Sequence, residues 1–450
     1  MTIRRLLRCG LVTCCLLAHC LAAADSEPVA GKKPLTEMPS VITVPLAAQP
    51  SDHFDPEAAT NAYLAEIPAA ARARSDAYFE GGYWFMLWDF LYGVVVALLL
   101  LLNLRWSAKM RDLAEHITRF KPLQTMAYWV QYLLLTSILI FPLTVYEEYF
   151  RERKYGLATQ TFAPWFLDQL KGLAIGSVFG LIALPILFGI VRRLPRTWWI
   201  WGAVVMMAFQ ILFVLIAPVY LVPIFNKVTP LKDPKITQPI LSMARANGIS
   251  VHDVYQIDAS KQTTRMSANV SGFGHTMRIT LNDNLLKRGS PEEIQAVMGH
   301  EMGHYILYHV YTFLMFLLIV VVAGFALLRW ALEWSLKRWG EKWQIRGIGD
   351  TAVLPLVVLL GTIFFFLLTP VMNSAIRIQE YQADMYGVNA SRQPDGMAQA
   401  AIHLGEYRKM SPGKWEEWIF YDHPSGRSRI YRAMQWKAEN LQLFKEAVSK

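Results

Sequence analysis

The chain is 450 residues long, 54% hydrophobic, 13% aromatic and only 18% charged, with a mean hydropathy of +0.26 and a formal net charge of +9. That composition excludes a disordered or low-complexity protein, and because the apolar residues come in long runs it also excludes an ordinary water-soluble globule. The positive balance does not mark a nucleic-acid binder, since no Arg/Lys-rich patch with interleaved aromatics is present.

Residues 1–24 carry Arg4, Arg5 and Arg8, then a short apolar stretch, then Ala22, Ala23 and Ala24. This pattern reads as a secretory signal with a small-residue cleavage site, or as an uncleaved anchor. All four cysteines, Cys9, Cys14, Cys15 and Cys20, lie inside it, so a processed chain has neither disulfides nor cysteine-bound metal. Residues 25–80 read as an exported extension: Pro- and Ala-rich without period to about residue 49, then a helix started by Asp55, Pro56 and Glu57.

Six stretches reach spanning length: residues 84–104, 126–146, 172–191 and 198–220, which place four helices in 81–222, and 311–328 and 353–372, which place two in 309–372. Pro185 and Pro218 suggest kinks, and Asp89 and Gln210 must face protein or water. No internal repeat points to an inverted-repeat transporter. Basic residues crowd the connections after the first, third and fifth spans, among them Arg105, Lys109, Arg111, Arg192, Arg193, Arg196, Lys337 and Arg338. The connection after the second holds Arg151, Arg153, Lys154 and Lys171, partly offset by Glu147, Glu148, Glu152 and Asp168. The positive-inside rule therefore puts residues 226–309 and the C-terminal segment on the exported side.

Residues 223–308 read as a small α+β unit: a helix near 239–246, a strand at 254–257, then strands 267–271 and 277–281 around Gly272-Phe273-Gly274. Asn269, Val270, Ser271 and Gly272 form a candidate edge strand that takes a substrate backbone by β-augmentation; the other reading is a plain structural hairpin. Ser290, Pro291 and Glu293 then supply a helix start, and Ile294, Val297, Met298 and Ile306 continue at helical spacing. That helix carries His300-Glu301-Met302-Gly303-His304. Imidazoles four apart stack on one face and can share a zinc ion at about 2.0 Å per bond, with Glu301 beside the metal as general base for a water that the ion acidifies. With ten His and 35 acidic residues in 450, a chance match is expected on the order of 0.01 times, so the motif reads as chemistry.

A third protein ligand is needed. The position ten residues after the first histidine is Val310, and His309 falls on the opposite face if the helix continues, where a membrane-interface role fits. In the last segment, 373–450, one helix face carries Asn373, Arg377, Glu380 and Asp384 where the chain leaves lipid. Glu380 as third ligand, with Asp384 accepting the free N–H of a ligand imidazole, is one reading; a solvated face with an Arg377–Glu380 ion pair is the other. A helix near 397–409 carries His403 as a surface or packing residue, and Ser425 in Asp422-His423-Pro424-Ser425 caps the last helix.

His300-Glu301-Met302-Gly303-His304, followed after two spans by Glu380-Tyr381-Gln382-Ala383-Asp384, resembles the type 1 CAAX prenyl protease family of integral-membrane zinc peptidases, and more distantly the HtpX membrane proteases. The resemblance extends to Asn269 to Gly272, to Arg278 to Leu286, and to His423-Pro424 with Arg429, covering the chain from about Phe54 onward. It implies a mainly α-helical polytopic membrane protein with a small α+β peptidase unit and an intramembrane chamber, and one zinc on His300, His304 and Glu380. It implies Glu301 as general base, Asp384 behind the ligands, His423 as donor to the oxyanion, and residues 269–272 with Arg429 as substrate contacts. Polypeptides that are membrane-associated, prenylated or unfolded are the implied substrates. Eukaryotic relatives have seven spans and a cytosolic zinc site. Here the signal-like start takes the place of the first span, and the loop charges point to a bacterial inner membrane with the catalytic side in the periplasm. A site-2-type intramembrane protease, with Asp395 of Pro394-Asp395-Gly396 as ligand, and a non-enzymatic scaffold or transporter are the rival readings; Pro394 to Gly396 sits in a polar stretch and reads as a turn and helix start.

Overall fold

The computed structural model describes residues 38–39, 41–271 and 277–448. The signal-like start and Gly272 with the hairpin tip lie outside the described residues.

In chain order the helices and strands are α1 (Pro56–Ala65), α2 (Ala69–Asn103), α3 (Trp106–Ile117), α4 (Lys121–Lys154), α5 (Phe162–Arg193) and α6 (Trp198–Phe225). Then follow β1 (Val228–Pro230), α7 (Pro234–Ala246), β2 (Val254–Ile257), β3 (Ala268–Ser271), β4 (Arg278–Asn282), α8 (Asp283–Arg288) and α9 (Pro291–Ile306). The last part is α10 (His309–Trp343), α11 (Leu354–Ser391), α12 (Pro394–Leu404), α13 (Lys414–Phe420), α14 (Gly426–Glu439) and α15 (Leu441–Val448). Among the described residues six helices are long and apolar enough to cross a membrane: α2, α4, α5, α6, α10 and α11 with the turn before it. All six overlap the stretches expected from hydropathy, and each runs past its apolar core into polar flanks. The α11 span is the most enclosed of them.

An even number of crossings brings the chain back to one side. Residues before α2, the sheet unit between α6 and α10, and everything after α11 therefore share a face, while the basic connections share the other. On that second face Arg111 Nη1 meets Asp350 at 2.7 Å and Arg105 Nε donates to the Lys342 carbonyl, tying the α2–α4 connection to the α10–α11 connection.

The sheet runs β1-β2-β4-β3, with β2 and β4 parallel and the outer pairs antiparallel. Its buried face presents Val254, Ile279 and Leu281 to Ile240 and Ala244 of α7 and to Ile294, Met298 and Met302 of α9. Those three α9 residues recur every four positions, which makes one apolar stripe. Each fully buried side chain of this size contributes about 1.5–3 kcal/mol. Ser290 closes the start of α9 in a capping box: its Oγ accepts from Glu293 N at 3.2 Å and Glu293 Oε2 accepts from Ser290 N at 2.7 Å.

Three boundaries differ from expectation. α7 begins at Pro234, because the Asp233 side chain accepts from Lys235 N and caps it there; Pro239 lies inside the helix. The helix expected to reach residue 409 ends at Leu404 and tightens into a 3₁₀ turn, Gly405–Tyr407. Ser425 caps α14 as expected, but α15 follows it.

A second core lies under the N-terminal segment. Ile42, Ala48, Tyr63 and Leu64 pack on Ala398, Ala401 and Ile402 of α12 and Ile430, Ala433 and Met434 of α14. Lys437, 1% exposed, donates to the Ala48 carbonyl at 2.7 Å and to Asp395 Oδ2 at 2.5 Å, while Tyr63 Oη donates to Asp395 Oδ1 at 2.8 Å. His403 is buried: one ring nitrogen faces Glu293 at 2.9 Å and the other the Pro39 carbonyl at 2.8 Å. Burial opposes its cation, but Glu293 outweighs that and raises its pKa. His403 therefore ties the N-terminal segment to the start of α9, which the surface alternative does not describe.

α9 and α11 pack closely, with Gly299 and Gly303 lying against Gly387 and Ala383. A Cβ added at Gly387 meets His300 N at 2.6 Å and His300 Cα at 2.9 Å, both backbone atoms that cannot yield. Gly387→Ala is expected to destabilise the protein by about 1–3 kcal/mol and to lower its metal content. Gly361→Ala, on the same helix with nothing within 4 Å of the new Cβ, leaves both unchanged. Thermal unfolding and metal analysis of the purified variants in detergent check this.

Candidate metal and catalytic site

Four acceptor atoms of three side chains converge where α9 crosses α11. His300 Nε2 lies 3.1 Å from His304 Nε2 and 3.2 Å from Glu380 Oε2, and Glu380 Oε1 lies 3.5 Å from His304 Nε2. Ligands at about 2.0–2.1 Å from one tetrahedral ion stand roughly 3.3 Å apart, so the three separations fit such an ion. Glu380 Oε2 is buried without a hydrogen-bond donor. Among the described residues these three are the group of His and carboxylate side chains that could hold a metal.

The other ring nitrogens are occupied. Asp384 Oδ1 accepts from His300 Nδ1 at 2.8 Å, and Arg429 forks onto Asp384 with Nε to Oδ2 at 2.9 Å and Nη2 to Oδ1 at 2.5 Å. All of these side chains are less than a tenth exposed. Arg429, expected to contact substrate, has its Nε and Nη2 on Asp384. Burial works against a charge on Arg429, but Asp384 holds the guanidinium cationic. Burial likewise opposes a charged His300, yet the Asp384 and Glu380 carboxylates push its pKa up to about 10. The pocket thus demands positive charge where the ligand atoms meet. Burial raises the Glu301 carboxyl above the ordinary carboxylate range, toward where a proton-transfer group is useful.

The polar row on α11 divides its work. Asn373 Nδ2 donates to the Ile419 carbonyl at 2.7 Å, and Arg377 Nη1 donates to the Glu417 and Tyr421 carbonyls at 2.8 and 2.5 Å. These two residues satisfy the end of α13, so the Arg377–Glu380 pair does not form. The loop they anchor brings His423 over the site: its Nε2 is 3.3 Å from Glu380 Oε2 and its Nδ1 2.8 Å from Asp422 Oδ1. Burial and nearby Arg408 lower the His423 pKa, while the His423 ring holds Asp422 down to about 2 against burial.

His309 was expected on the far helix face. The chain breaks instead at Tyr308, which takes φ +56°, and the turn carries His309 back so that its Nδ1 lies 2.9 Å from His304 Nδ1. A left-handed Tyr between two helices was not legible from hydrophobic period, although the third histidine within ten residues was a signal. β3 is at the sheet edge, pairs on one side only, and packs beside α9; Asn269 is exposed, and Val270 and Ser271 are partly so. Asp395, the ligand of the rival site-2 reading, is held by Lys437 and Tyr63 and is not in the ligand group.

The model for peptidase family M48 matches residues 230–437, and that for the CAAX prenyl protease N-terminal region, described as five membrane helices, matches residues 56–227. The chain belongs to peptidase family M48, in its CAAX prenyl protease 1 branch. It is a membrane metalloprotease. YhfN, a metalloprotease of Bacillus subtilis, is 29% identical over 329 residues, 73% of this chain and 77% of that protein. CAAX prenyl protease 1 of Saccharomyces cerevisiae is 29% identical over 266 residues, 56% of this chain and 59% of that one. The crystal structure of Ste24p from S. mikatae shares the fold, with a TM-score of 0.69 at 23% identity over 82% of this chain and 89% of that one. Within residues 56–227 this M48 peptidase has four span-length helices, with the short amphipathic α3 between the first two.

Removing one member of a buried pair strands the other's charge, at a cost of about 3–5 kcal/mol. Arg429→Met in this M48 peptidase is therefore expected to lower stability by that order, leaving Asp384 paired only with His300. Thermal unfolding of the variant beside wild type measures it.

Proposed function

We propose that this chain is a zinc endopeptidase in which His300, His304 and Glu380 hold one zinc ion and Glu301 is the general base. The observation that carries the reading is the approach of the three side chains, with His300 Nε2 and His304 Nε2 3.1 Å apart and 3.2 and 3.5 Å from the two Glu380 oxygens, close to the ligand separations of a tetrahedral ion. When bound, zinc supplies Lewis-acid polarisation of a peptide carbonyl and acidifies water. Glu301, with its pKa raised by burial, takes the proton of the attacking water and passes it to the leaving amine. His423 reaches over Glu380 with its Nδ1 side fixed by Asp422, and in its imidazolium form, with a proton on both ring nitrogens, Nε2 donates to the oxygen that becomes negative. Asp384, braced by Arg429, takes the Nδ1 proton of His300 so that Nε2 keeps its lone pair. The open edge of β3, with Asn269, Val270 and Ser271, takes the substrate backbone by strand addition. The substrates are membrane-associated, prenylated or unfolded polypeptides.

The same reading puts the site on the exported face of a bacterial inner membrane. Loop charge favours that orientation. So does the N-terminal segment, which follows the signal-like start and packs on α12 and α14, on the face that also carries His300 and His423.

Glu301→Gln is expected to abolish peptide cleavage, by about 10²-fold or more, with zinc retained; Glu380→Ala is expected to lose both. Cleavage that survives in the Glu301→Gln protein rejects the mechanism. For orientation, a cysteine placed at Trp415, which is 76% exposed, should react with an impermeant maleimide in spheroplasts; protection there with labelling only after lysis reverses the assignment.

A further inference from the structure

The geometry points to His309 and Gln382 as positioning residues that set the proton on His304, an inference that rests on the zinc reading above. His304 Nδ1 faces His309 Nδ1 at 2.9 Å, and His309 Nε2 faces Gln382 Oε1 at 3.1 Å. A carbonyl oxygen only accepts, so His309 carries its proton on Nε2 and its Nδ1 has a lone pair. One proton then sits between the two Nδ1 atoms, and it belongs to His304. The His304 Nε2 is left with the lone pair that faces His300 Nε2 and Glu380 Oε1. The opposite order, with a donor in place of Gln382 Oε1, would send Nδ1–H of His309 toward His304 and force an N–H of His304 into the centre of the ligand group.

The two ligand imidazoles are therefore oriented by different devices. His300 donates its Nδ1–H to the Asp384 carboxylate, and His304 donates its Nδ1–H to a neutral ring. The backbone makes the second arrangement available: Tyr308 at φ +56° ends one helix and begins the next, which brings His309 back over His304. His309 is buried, and Gln382 and Gln379 lie on α11, where Gln379 Nε2 donates to Thr312 Oγ1 at 3.0 Å without touching His309.

The test uses the full-length protein in detergent, with Zn²⁺ affinity from chelator competition and the visible absorption of the Co²⁺-loaded site as readouts. Gln382→Glu keeps an acceptor and is expected to stay within about threefold of wild type. Gln382→Lys presents a donor and is expected to weaken Zn²⁺ by about 10–100-fold and to change the Co²⁺ spectrum. His309→Phe is expected to weaken it to the same extent. Gln379→Lys adds the same charge one turn away and is expected to leave affinity unchanged. The Gln382 and Gln379 variants sit toward solvent, so they decide the matter even if His309→Phe does not fold. Wild-type affinity in Gln382→Lys, or an equal loss in Gln379→Lys, overturns the inference. A wild-type protein that binds no Zn²⁺ overturns the zinc reading itself, which is a separate outcome.

Discussion

The close packing of α9 on α11 is the constraint from which the site follows. Gly299 and Gly303 on one helix and Ala383 and Gly387 on the other let the backbones approach until an added methyl at Gly387 would strike His300 N at 2.6 Å. Only at that separation can a short Asp384 side chain reach His300 Nδ1 at 2.8 Å and Glu380 reach His300 Nε2 at 3.2 Å. Small residues one turn apart on both helices let the backbones come this near, because no long side chain stands between them. Here the contact also sets the geometry of the ligands, so packing and chemistry share the same residues.

The second organising feature is a line of buried charge. The Arg429 cation, the Asp384 carboxylate, the His300 ring and the Glu380 carboxylate follow one another across α14, α11 and α9, and each is less than a tenth exposed. Single charges in such a place would be expelled or neutralised; in series, each is held by the next. The line ends at Glu380 Oε2, which is buried and makes no hydrogen bond, with the His300 and His423 Nε2 atoms 3.2 and 3.3 Å away. That end is where the charge balance calls for a cation. Asn373 and Arg377, two turns and one turn before Glu380, hold carbonyls at the end of α13 and thereby bring the His423 loop to the same spot.

The N-terminal segment has a part in the catalytic half that its composition hides. Its chain closes over α12 and α14 through Tyr63, the Ala48 carbonyl and the Pro39 carbonyl, and it accounts for the buried Lys437, Asp395 and His403. A Pro- and Ala-rich stretch reads as a linker because it has no period of its own. Its order comes from surfaces supplied by residues more than 300 positions away.

Much of the architecture could be read from the residues alone. Six apolar runs must become six spans, because a backbone in lipid has to satisfy its own hydrogen bonds; the capping box at Ser290 and the four-residue spacing of His300 and His304 are local facts that any helix there would express. Residues 267–271 and 277–281 likewise read as two strands, which pair as β3 and β4. What required tertiary structure were the long-range partners. Arg377 could have paired with Glu380 on its own helix; it bonds the α13 carbonyls because the chain returns from 40 residues away. Arg429 was placed near substrate by resemblance, but burial beside Asp384 decides its partner. His309 was misplaced because period counting assumes an unbroken helix, and a single left-handed residue at Tyr308 turns its ring back onto His304. Local pattern fixes which face of an element a side chain occupies, and only the packing of distant elements, with the desolvation it imposes, decides what that side chain meets.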